Sequence, residues 1–77
     1  MAIPLARPGS GLVKRSIAIQ GHRTSVALEP AFWDALDAAA AAMGISSAAL
    51  VTRIDEERTT PLASAIRVWL FRRAGAA

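Results

Sequence analysis

Apolar and polar residues alternate in two short runs between residues 15 and 28, and the rest of the chain changes to helical spacing. Ile17 and Ile19 alternate with Ser16, Ala18 and Gln20; Val26 and Leu28 alternate with Ser25 and Ala27. The apolar parity is odd before Gly21 and even after it. Successive strand residues face opposite sides, so one flat strand cannot hold both sets on one face. A turn or bulge near Gly21 reconciles them. The pattern leaves open whether residues 16–20 form a second strand. In the run Arg23–Leu28, Thr24, Val26 and Leu28 point inward, and Arg23, Ser25 and Ala27 point outward.

From Pro30 the spacing predicts a helix over about 30–43. Proline suits its first position, and Glu29 and Asp34 suit the positive helix start. Phe32, Leu36, Ala39, Ala40 and Met43 form its core stripe, with Trp33 offset from it, and Gly44 ends it. Ser46 or Ser47 caps a second helix whose apolar face is Leu50, Val51 and Ile54. Thr59, Thr60 and Pro61 interrupt it. Thr60 is positioned to cap a third helix carrying Leu62, Ala65, Ile66, Trp69 and Leu70 at amphipathic spacing. Residues 1–13, with Pro4, Pro8, Gly9, Ser10 and Gly11, read as a flexible basic arm, which leaves 14–74 as the domain.

With 77 residues this is one small domain, and small domains usually need a staple. There is no cysteine and only one histidine, which excludes disulfides and argues against a metal site or any cofactor. A partner chain remains. The topology argues the same way, because a lone strand before a helical unit needs a pairing strand. A second copy related by a two-fold axis supplies it most simply. Thr24, Val26, Leu28 and Trp33 are then the candidate dimer interface. The expected fold is mainly α: one N-terminal strand pairing across a dimer, followed by two to three helices.

Charge is segregated along the chain, which carries a formal net +3. Residues 1–28 hold Arg7, Lys14, Arg15 and Arg23 and no acid, and residues 58–77 hold Arg58, Arg67, Arg72 and Arg73 and no acid. All six acids lie between. Two basic ends around an acidic middle favour a polyanion at one face. The outward side chains of the strand are those able to reach bases: Arg23 bidentate to guanine, Ser25 to several base edges, Ala27 to a thymine methyl. The helix start at Ser46 and Ser47 is a candidate phosphate contact, as are Lys14, Arg15 and Arg7. The Arg67–Arg73 end of the last helix has three readings: dipole complement, DNA backbone contact, or membrane-surface contact.

The segments Arg23-Thr-Ser-Val-Ala-Leu28, Glu29-Pro-Ala-Phe-Trp33 and Met43-Gly-Ile-Ser-Ser47 resemble the ribbon-helix-helix (Arc/MetJ-type) family of DNA-binding proteins. A narrower likeness is to its small ribbon-helix-helix domain group. It rests on Lys14, Arg15, Ser16, Gly21, His22, Arg23, Thr24, Ser25, Leu28, Glu29, Phe32 and Trp33, and on Ile54, Asp55, Leu62, Ser64, Ala65 and Arg67. The resemblance implies an intertwined homodimer whose antiparallel ribbon enters the major groove of double-stranded DNA. With one long reader per strand, DNA contact is expected to be stronger than sequence choice.

Two alternatives share the composition. A protein-interaction module, like the antitoxins that resemble this family, would present Trp69 and the arginines of the last helix to a partner. A peripheral membrane binder would use the same helix. Catalysis is the least supported, since no acid pair or nucleophile–base set stands out. No secretory signal or membrane span is read from the sequence, so the cytoplasm is the expected location.

Overall fold

The computed structural model describes residues 11–76. Its elements are β1 (Val13–Ile19), β2 (His22–Leu28), α1 (Pro30–Met43), α2 (Ser47–Glu57) and α3 (Leu62–Ala76). Most of the expected arm, Arg7 included, lies outside the described residues, and Val13 belongs to β1 rather than to the arm.

The parity break resolves into a hairpin. β1 and β2 pair antiparallel in a two-stranded sheet, with Ile19 opposite His22 and Val13 opposite Leu28. Gln20 (φ 48°) and Gly21 (φ 88°) make the connection. Positive φ at both central residues is the requirement of a two-residue hairpin turn whose twist matches the strands. This corrects the expectation of a single strand: the first pairing partner of Arg23–Leu28 is β1 of the same chain. The odd residues of β1 and the even residues of β2 now share one face, and Ile17, Ile19, Val26 and Leu28 are buried there.

α1 has the expected limits. Its first turn bonds back to the Glu29 carbonyl, from the amides of Phe32 (2.9 Å) and Trp33 (3.1 Å). Gly44, at φ 72°, closes it: its N–H reaches the Ala41 carbonyl, while that of Ile45 reaches Ala40. This paired bonding satisfies carbonyls that the helix end would otherwise orphan. Ser46 caps α2 by accepting the Ala49 amide at 3.0 Å. In α3 the first helical bond runs from the Ala65 amide to the Pro61 carbonyl, so Pro61 takes the cap position expected of Thr60. The Thr60 carbonyl instead accepts from Arg58.

The core is wholly apolar among the described residues. Leu28, Leu36, Leu50, Val51 and Ile66 are its most buried aliphatics, and Trp33 its largest member. α2 packs beneath β1, and α3 beneath β2. Trp33 was expected at a subunit interface but is 2 % exposed within its own chain, whereas Phe32 is only half-buried. The core face of α1 is therefore rotated toward Trp33. The indole can be buried because its Nε1–H donates to the Val13 carbonyl at 2.7 Å, leaving no orphan donor. No single described helix is long and apolar enough to cross a membrane.

Candidate nucleic-acid interface

The hairpin turns one face to the helices and the other outward. Its register sets Lys14 opposite Ala27, Ser16 opposite Ser25 and Ala18 opposite Arg23 on the outer face. All are exposed except Ala27, which is half-buried. The face is shallow, made of hydroxyls and methyls, with a cation near each of two diagonal corners. The Arg23 guanidinium lies along it and donates from Nη1 to Ser16 Oγ at 3.2 Å. No acid occurs between residues 13 and 28, so no carboxylate of the hairpin opposes an anion here.

Arg23, Ser25 and Ala27 thus share the outward face that their parity predicts. Reasoning from β2 alone missed Lys14, Ser16 and Ala18 as cross-strand neighbours on the same surface. The signal was present: their even numbers set them opposite in parity to Ile17 and Ile19.

Arg15 lies elsewhere. It is on the core face of β1, with its guanidinium 4.3 Å from the Trp33 ring centroid. Nη1 and Nη2 donate to the two carboxylate oxygens of Asp37, each at 3.1 Å. Ser47 donates its hydroxyl to the same Asp37 at 2.7 Å. Together these donors hold the Asp37 carboxyl below its ordinary range; the Arg15 hydrogen bond is the largest cause and that of Ser47 the next. So the Arg15 side chain, expected at phosphate, is engaged by a carboxylate; the Ser47 hydroxyl joins it and the Ser46 hydroxyl caps α2, while the phosphate contact expected at this helix start belongs to its backbone amides. Of the expected phosphate contacts among the described residues, Lys14 alone lies on the outer face of the hairpin.

The expected interface residues are also redistributed. Val26, Leu28 and Trp33 are buried by the chain's own helices, and Thr24 is half-buried. The first three leave water within the single chain, and Thr24 does so only in part. Among the described residues β2 keeps one free edge, since β1 pairs with the other. Glu29, expected to serve the start of α1, makes no cap with its side chain and accepts from Arg67 Nε at 2.9 Å. That contact holds its carboxyl below the ordinary range.

Comparison with curated proteins and with solved structures finds no match. A family model described as a ribbon-helix-helix domain matches residues 12–74. It spans the hairpin and all three helices almost to the end of the last. With the strand leading directly into the Pro30 helix and the Gly44 turn into the Ser46-capped one, this match shows that the chain belongs to the ribbon-helix-helix family.

Proposed function

We propose that the chain is a homodimeric DNA-binding protein, a transcription regulator of the cytoplasm, that lays the outer face of its hairpin against the major groove. The family's fold is of the DNA-binding, regulatory type, and its domains are typically not enzymes. One observation carries the reading for this chain: an exposed, acid-free ribbon face on which Lys14 and Arg23 flank small polar side chains. Small residues let the backbone approach base edges, Arg23 supplies the bidentate donor, and Lys14 supplies a phosphate contact.

The dimer supported best pairs the free edge of β2 with β2 of a second copy. Four strands at about 4.8 Å spacing span about 14 Å between the outer strand axes. The major groove is about 12 Å wide. The two β2 strands would therefore enter it, while each β1 rests over a phosphate rim and brings Lys14 to the backbone. Arg23 and Ser25 then read, and sequence choice is modest.

A second reading is favoured by the hairpin itself. A two-stranded ribbon is already complete in one chain, so a single copy could occupy the groove with β1 and β2 together.

The test is fluorescence anisotropy with a labelled duplex over a salt series. Arg23→Ala and Lys14→Ala are each expected to weaken binding, and Lys14→Ala to lower the salt slope by about 1 per bound chain, about 2 for a dimer. Unchanged affinity and slope in both variants would remove the hairpin as the contact surface. Stoichiometry separates the readings: two chains per site support the β2–β2 dimer, and one chain supports the single hairpin.

A further inference from the structure

The outer side of α1 is paved with alanine. Ala31, Ala35, Ala38, Ala41 and Ala42 are all exposed, and Asp34 is the charged residue on that side. Alanine favours the helix by itself, but it does not explain what stands next to it. Phe71 of α3 is 79 % exposed and Val68 is 47 % exposed. Phe71 borders an open recess between α1 and α3, of about 450 Å³, lined also by Ala31, Phe32, Ala35, Leu70 and Ala74. A protruding aromatic beside an apolar hollow of suitable size is surface a small domain does not normally leave in water. The amphipathic spacing of Leu62, Ile66 and Leu70 accounts for the inner side of α3 and leaves Phe71 unused.

We infer that this α1–α3 face is an interface between two copies of the chain, with Phe71 of each copy seated in the recess of the other. Self-complementarity argues for a second copy. An isologous contact requires both halves of every interaction on one surface, and here knob and hollow lie side by side. Charge has the same arrangement. Asp34 stands beside the alanine surface of α1, Arg72 and Arg73 stand on α3, and none of the three has an ion-pair partner among the described residues. A two-fold axis that seats Phe71 sets α3 of one copy, which carries Arg72 and Arg73, against α1 of the other, which carries Asp34. Alanine lets the helices approach closely, since the interaxial distance follows the side chains at the contact. The face also adjoins the free edge of β2: α3 packs under β2, and Arg67 joins the recess to Glu29 at the strand's end. The inference rests on the homodimer proposed above but not on DNA binding.

The test is sedimentation equilibrium of the full chain without DNA. The unmodified chain is expected to be dimeric, and Phe71→Glu or Ala35→Glu to raise the dissociation constant at least about 100-fold. Phe71→Leu should stay within about tenfold. Both altered positions are exposed, so unchanged far-UV circular dichroism is expected in every variant. A monomeric unmodified chain overturns the inference. So does a dimer unaffected by either glutamate, which would leave β2 pairing standing and dismiss only this face. A monomer that co-sediments with anionic phosphatidylglycerol vesicles through Phe71 overturns it in favour of a lipid surface. Duplex binding, measured separately, does not enter the result.

Discussion

Asp37 joins three elements through one carboxylate. It takes two hydrogen bonds from Arg15 of β1 and one from Ser47 at the head of α2, while itself belonging to α1. Pairs this exposed contribute modestly, on the order of 1 kcal/mol even when bidentate. The pH dependence follows from the sign of the shift. The Asp37 and Glu29 carboxyls are both held below their ordinary values in the folded chain, by Arg15 and Arg67 respectively. Their stabilisation is therefore full above the unfolded values, near pH 4, and is lost as the pH falls through the folded ones. The thermal midpoint is expected to stay level from neutral pH down to about 5 and to drop below 4. Asp37→Asn should lower the midpoint at neutral pH and flatten the acid drop. An unchanged acid limb in that variant would show that Asp37 does not carry it. Arg15 could have been placed from sequence, because it shares the odd parity of Ile17 and Ile19. Trp33 could not. Phe32 and Trp33 are adjacent aromatics, and the phase of a helix built largely of alanine does not choose between them.

The hairpin depends on its turn. Gln20 occupies positive φ without being glycine, a conformation that a side chain tolerates at some cost, and its amide donates to Glu56 Oε2 at 3.1 Å. Gly21, at φ 88°, has open space where a Cβ would stand, so the penalty of a side chain there is conformational rather than steric contact. Gly21→Ala is expected to cost about 1–2 kcal/mol, read as a lower urea midpoint with an unchanged slope. A midpoint identical to that of the unmodified chain would mean that the turn relaxes without penalty. The elements were legible where the sequence is punctuated. Pro30 and Gly44 bound α1, Ser46 opens α2, and the parity change at Gly21 marks the turn. β1 was harder to read, because Lys14 and Arg15 interrupt the apolar alternation and hide its first half. The outer side of α3 was missed because Val68 and Phe71 fall outside a stripe that was already complete.

At the scale of the molecule, the charge segregation of the sequence is partly folded away. Arg15 from the basic N-terminal part meets Asp37, and Arg67 from the basic C-terminal part meets Glu29. What remains outward on the sheet is Lys14 and Arg23, so the field at that face comes from few, exposed charges that salt screens, and each chain contributes only a small salt slope. The fold was legible at this scale and the site only in part, since assigning the outer face required the cross-strand register, which no single strand reveals.

The local pairing of β1 with β2 also bears on how the chain reaches its structure. Strands joined by a two-residue turn meet within about 1–10 μs, and such local contacts favour rapid folding. A ribbon that could form only between two chains would make folding bimolecular. Here the sheet, the buried Trp33 and the helices beneath them can assemble in one encounter-free step, with association following. Refolding from urea, followed by tryptophan fluorescence, should therefore show a main phase whose rate does not change over a roughly tenfold range of protein concentration. A rate rising in proportion to concentration would mean that the chain must find its partner before it can fold.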